Sequence, residues 1–125
     1  MRYLIDTDVM VDVSRRNVSA ANYVDSLSDA CIAIVTAQEL IVGARDKRDV
    51  VGIDSLIAWY PVVHINHRIG GRAYELLKTY AKSHGLRTFD SLIAAPALEN
   101  NLTLVSKNRK HFGMVEGIKL QVPAY

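Results

Sequence analysis

Three acids and an amide stand in similar settings along the chain. Asp6 ends the apolar run Tyr3–Ile5, Glu39 follows the apolar run Cys31–Val35, Asp90 opens an apolar segment, and Asn108 follows Leu102–Val105. Carboxylate and amide oxygens are hard donors that select magnesium or manganese over zinc. At about 4 Å two like charges repel by roughly 4 kcal/mol at an effective dielectric near 20. Three facing acids are therefore unfavourable unless one protonates or a cation sits between them. A divalent ion so held polarises a phosphoryl oxygen and activates water for in-line attack. Each acid also has an ordinary structural reading. Thr36 and Glu39 have capping-box spacing, Thr88 is placed to cap a helix whose dipole favours Asp90, Asp6 can itself be an N-cap, and Asp8 a first-turn acid. On residue types alone both readings stay open.

The elements that must position these groups alternate along the chain. Tyr3–Ile5 reads as a short strand, and Thr7–Arg16 as a helix with Val9 and Val13 one turn apart. Residues 19–29 read as a second helix, capped by Ser19. Cys31–Val35 is continuously apolar, as in a parallel strand covered on both faces. A helix then begins at Thr36, and another spans Asp49–Tyr60 with Val51, Leu56 and Trp59 inward, stopped by Pro61. Val62–Ile65 is a third strand. His67–His84 carries Ala73, Leu76, Leu77 and Tyr80 at helical spacing, with Gly85 as the C′ residue. Thr88–Asn101 is a helix with Pro96 inside it, Leu102–Ser106 a fourth strand, Lys107–Gly113 a tight loop or single turn, and Ile118–Val122 a fifth strand. This alternation predicts a parallel sheet with helices on both faces. In such sheets ligands bind beyond the carboxyl ends of the strands. Asp6, Glu39, Ser106 and Asn108 follow strands there. Asp90 starts a helix antiparallel to the fourth strand, so it reaches the same edge.

The 125 residues fit one domain, and a hydrophobic fraction of 50% with 22% charged residues excludes a disordered chain. A net charge of +2 permits a polyanionic partner without demanding one. The lone Cys31 sits in an apolar run, so no disulfide framework exists and a cytoplasmic location is expected. Asp6 and Asp8 interrupt any leader-like run, and no stretch of about eighteen apolar residues could span a membrane.

The segments YLIDTDVMVD, TAQELIVGA, TFDSLIAAPAL and LVSKNRKHF, in that order, resemble the four motif blocks of PIN-domain ribonucleases, the VapC toxins of VapBC toxin–antitoxin pairs in particular. The resemblance covers nearly the whole chain. It implies a single PIN domain over residues 1–125, a three-layer α/β/α sandwich with a central parallel, roughly five-stranded sheet. It also implies Mg²⁺- or Mn²⁺-dependent endonucleolytic cleavage of RNA. Its acidic positions carry over to Asp6, Glu39 and Asp90, and its hydroxyl after the fourth strand to Ser106. A homodimer and a cognate VapB-type antitoxin covering the site are implied as partners. Two departures stand out. Asn108 occupies a position where the family often has Asp, which predicts one tight ion and one loose one. Pro96 removes an amide from a helix interior, a cost of about 3 kcal/mol, and predicts a kink.

Ser106, Lys107 and Arg109 surround Asn108 and are the expected substrate contacts; basic groups there could hold an RNA backbone. Arg45, Lys47 and Arg48 are weaker candidates, His111 a remote candidate base, and Phe112 reads as a core plug. Three rival readings remain on residue types. A phospho-receiver would need Asp54 and Thr88 at strand ends, but Asp54 lies within a helical pattern and Thr88 precedes a helix. A haloacid-dehalogenase-type phosphatase would need a glycine after Asp8. A catalytically silent PIN domain that only binds a partner is kept open by Asn108.

Overall fold

Tyr3–Ile5 form the first strand, β1, in the computed structural model, which describes residues 2–125. It is followed by α1 (Thr7–Ser14), α2 (Val18–Asp25), β2 (Ala30–Ala33), α3 (Ile34–Val42), α4 (Lys47–Ile57), β3 (Val62–Val63) and α5 (His67–His84). The chain continues through α6 (Thr88–Glu99), β4 (Thr103–Val105), α7 (Arg109–Phe112) and β5 (Lys119–Gln121). The five strands make one parallel sheet in the order β3-β2-β1-β4-β5. β1 is central: the chain builds outward through β2 and β3, then crosses back to lay β4 on the other side of β1. The junction between β1 and β4 is thus the point where strand order reverses.

Alternation along the strands builds two apolar layers. Leu4, Cys31 and Leu104 face Ile69, Ala73 and Leu76 of α5 and the Ile93–Ala95 stretch of α6. Ile5, Ile32 and Val105 face the opposite way, onto Val9 and Met10 of α1, Val24 of α2, Leu40 of α3 and Ile53 of α4. The result is the expected three-layer α/β/α sandwich. Phe112 of α7 is buried in the first layer, as a core plug should be. Gly85 ends α5 at φ 71°, the left-handed C′ geometry its position predicts. α6 runs through Pro96 to Glu99. Among the described residues no helix is long and apolar enough to cross a membrane.

Several boundaries differ from the sequence reading. β2 stops at Ala33, and Ile34 and Val35 already belong to α3. Thr36 therefore lies inside the helix, where no capping box with Glu39 can form; its buried hydroxyl instead bonds that of Thr7 at 2.8 Å. Asn17, not Ser19, caps α2, accepting from the Ala20 amide at 3.0 Å. Arg87, not Thr88, is the N-cap of α6. In α4 the inward stripe is Ile53, Leu56 and Ile57. Val51 and Trp59 fall outside that stripe and are exposed, because this peripheral helix buries only a narrow face.

Candidate active site

The central strand carries Asp6 to the sheet edge. Its backbone N–H donates to the Val105 carbonyl at 2.9 Å, so pairing with β4 continues one residue past β1. The residue then caps α1: Oδ1 accepts from the Thr7 amide at 2.8 Å. Oδ2 accepts from the Ser106 hydroxyl at 2.7 Å, one residue past β4. Ser106 is fully buried, and its oxygen in turn accepts the Asn108 amide at 2.9 Å. One hydroxyl thus pins the loop after β4 onto the acid after β1.

Asp90 approaches from the other layer. It is the third residue of α6, buried, and its Oδ2 accepts the Arg87 amide at 3.3 Å, a dipole-favoured first-turn position. Its Oδ1 lies 3.7 Å from His111 Nδ1, and the same nitrogen sits 2.9 Å from the Asn108 side-chain amide. A continuous chain of contacts therefore runs Asp6–Ser106–Asn108–His111–Asp90.

Asp8 belongs to this group as well. Its Oδ1 accepts from the Val9 amide at 2.7 Å and its Oδ2 from the backbone amide of Lys107 at 3.0 Å. Burial, and then the neighbouring charge of Asp8, push the Asp6 carboxyl up to about 7, against the pull of the Ser106 and Thr7 donors. Burial also raises Asp8, opposed by its amide donors. Among the described residues no salt bridge reaches Asp6. A buried acid crowded by another acid, with hard oxygens of Asp90 and Asn108 nearby in the same chain of contacts, fits a divalent cation in the kind of donors offered.

Glu39 is placed differently. Because α3 begins early, Glu39 lies in its second turn rather than its first, exposed, on the wall of a cavity of about 620 Å³ between α1, α3 and α4. Arg15, Arg16 and Arg45 line the same cavity. Among the described residues no three His, Cys, Asp or Glu side chains come together as a ready-made cation site. Lys107 and Arg109 flank Asn108, but the Lys107 ammonium is engaged by Asp12.

The sequence matches the PIN domain family over residues 3–116. The chain is a PIN domain. Ribonuclease VapC10 of Mycobacterium tuberculosis is 33% identical to it over 122 residues, covering 93% of this chain and 90% of that protein. Ribonuclease VapC19 of the same organism is 33% identical over 119 residues, covering 89% and 92%. These likenesses place it among the VapC-like ribonucleases. The fold also recurs in a chain of VapBC2 from Rickettsia felis, solved bound to a promoter DNA fragment, with a TM-score of 0.84 at 22% identity over 97% of this chain and 98% of that one. A chain of DNA-bound VapBC from Salmonella typhimurium gives 0.79 at 20% identity, covering 97% of each.

This PIN domain uses residues that pattern reading undervalued. Asp8 and Asp12 stand one turn apart on α1, so the periodicity signalled a shared acidic face. Their partners, the Lys107 amide, the Lys107 ammonium and the Tyr125 hydroxyl, come from segments 95 to 113 residues away. The Thr7–Thr36 bond was equally hidden, because Thr36 read as a helix cap.

Proposed function

We propose that this PIN domain is a magnesium- or manganese-dependent endoribonuclease and the toxin of a toxin–antitoxin pair, working in the cytoplasm as a homodimer held in check by a VapB-type antitoxin. The observation that carries the reading is the bonded group at the strand-order reversal, where Asp6 and Asp90 are both buried and burial together with Asp8 raises the Asp6 carboxyl. Asp6, Asp90 and the Asn108 carbonyl would hold the ion. Glu39 joins the acidic set through the likeness of its segment to the family's second block. When bound, the ion supplies Lewis-acid activation for phosphodiester hydrolysis. Ser106 keeps Asp6 turned toward the site, and His111, through the Asn108 amide, fixes which way that side chain points. Arg109, at the start of α7, offers a guanidinium to the RNA backbone.

The test uses protein freed of any antitoxin. Manganese is titrated into wild type and Asp90→Asn by calorimetry, and cleavage of a structured RNA is followed in parallel. Wild type should bind manganese and cleave; Asp6→Asn and Asp90→Asn should lose cleavage by at least a hundredfold, an effect of about 2.7 kcal/mol or more on the barrier. A silent binding domain is the second reading, favoured by Asn108 and by the lack, among the described residues, of three His, Cys, Asp or Glu side chains grouped to hold a cation. It would hold the antitoxin while cleaving nothing, with or without manganese.

A further inference from the structure

Lys107 is the residue between the two groups that lock the site, Ser106 and Asn108, and every polar handle it has apart from its carbonyl is taken. Its amide donates to Asp8. Its ammonium donates to Asp12 and lies 5.7 Å from the centre of the Tyr125 ring. The Tyr125 hydroxyl donates to the same Asp12 oxygen at 2.7 Å. Tyr125 packs against Tyr23 of α2 with ring centres 5.9 Å apart. Tyr23 accepts from the Gln121 side chain at 2.6 Å, and the Gln121 carbonyl accepts the Ser106 amide at 3.1 Å. The contacts close a ring through α1, the loop after β4, β5, α2 and the segment after β5. Burial raises the Asp12 carboxyl, but the hydrogen bonds from Lys107 and Tyr125, with the charges of Lys107 and Arg15, together hold it below its usual range. An isolated exposed ion pair contributes little, but a closed set of contacts sharing one carboxylate fixes geometry as well.

We propose that Asp8, Asp12 and Tyr125 are positioning residues that clamp Lys107, so that Lys107 works as a strut holding Ser106 and Asn108 against Asp6 and not as a contact to the RNA backbone. The catalytic consequence rests on the ribonuclease reading above; the clamp does not. Asp8 fixes the backbone of the loop, Asp12 fixes the far end of the Lys107 side chain, and Tyr125 locks Asp12 from the opposite side. Loosening any of them lets the Ser106 hydroxyl leave Asp6, without touching a group that contacts substrate.

Two measurements on the full, antitoxin-free chain test this. Manganese-supported RNA cleavage is measured for Tyr125→Phe, which removes one oxygen, for Lys107→Met, which keeps the apolar stem, and for the double variant. The strut predicts that kcat falls roughly three- to tenfold in each single variant, the size of one lost hydrogen bond. KM and its salt dependence should hold, and the double variant should be no worse than Lys107→Met alone. A rise in KM for Lys107→Met, with the salt slope reduced by about 0.7 and Tyr125→Phe silent, would mark Lys107 as a phosphate contact and overturn the proposal. The second measurement needs neither metal nor RNA. Amide exchange at Lys107 and Asn108 should quicken roughly three- to tenfold in Tyr125→Phe while the amides of β4 stay as in wild type. Unchanged exchange at both amides overturns the clamp. Quickened exchange in a protein whose wild type cleaves no RNA keeps the clamp and removes the ribonuclease reading instead.

Discussion

Asp6 ends a buried strand, faces a second acid and receives two hydrogen bonds, yet its carboxyl is still pushed up to about 7 by burial and by Asp8. In the unfolded chain it ionises near 3.8. Between those values the folded protein holds a proton that the unfolded chain has released. The stabilisation from this group is full at and below about pH 4, declines as pH rises, and is gone above about 7. The span amounts to at most about 4 kcal/mol. Scanning calorimetry in a chelator should therefore show Tm falling from pH 5 to 8 in wild type, with a flatter profile and a higher Tm at pH 8 for Asp6→Asn. Manganese at pH 8 should raise the wild-type Tm and leave Asp6→Asn nearly unmoved. A wild-type profile as flat as that of the variant would mean that Asp6 is already ionised in a well-solvated pocket. At this scale the sequence was legible wherever a residue's position follows from its own element: Asp6 past β1, Asp90 in the first turn of α6, and Ser106 past β4. It was not legible for Tyr125, whose partner Asp12 lies 113 residues away and leaves no mark on local pattern.

Element ends separate what local chemistry dictates from what packing decides. Gly85 and Gly113 both follow helices, for different reasons. Gly85 sits at φ 71° with open space where a Cβ would go, so Gly85→Ala should cost about 1 kcal/mol through backbone strain alone, read as a lower urea midpoint with cleavage intact. A Cβ on Gly113 would stand 2.8 Å from the Arg109 carbonyl, which accepts the Gly113 amide at 2.7 Å. Gly113→Ala should therefore displace the α7 turn that carries Arg109 and His111, and impair cleavage more than stability. Asn66 caps α5 by accepting the Ile69 amide at 2.9 Å, and Asn66→Ala should cost about 1 kcal/mol in the same denaturant assay. Gly85 announced its role because αL caps carry a residue signature. The start of α3 did not: Ile34 and Val35 are β-branched and read as strand. Yet β2 needs only Ala30–Ala33 to pair with β1 and β3, and the next residues turn into helix with no side-chain cap to signal it. That two-residue shift displaced Glu39 from the first turn and removed the capping box.

At the scale of the whole molecule, periodicity and element order sufficed for the sandwich, because the central strands are mostly apolar and alternate with helical segments along the chain. Strand order is a different kind of information. It follows from which strands pair, and no residue in β1 names β4 as its neighbour. Leu104, fully buried in the layer beneath α5 and α6, tests how far the sheet acts as one body. Leu104→Ala should cost about 2–5 kcal/mol in equilibrium denaturation, with activity retained well below the lowered midpoint. The placement of β1 between β2 and β4 also sets a timetable. Asp6 is made early relative to its partner, for the hydroxyl that secures it arrives 100 residues later in the chain. At about 5–20 residues per second that interval is on the order of 5–20 s. Until Ser106 has been made, a nascent polypeptide carries Asp6, Asp8 and Asp12 without the loop that pins them, so this bonded group cannot assemble while β4 is still unmade.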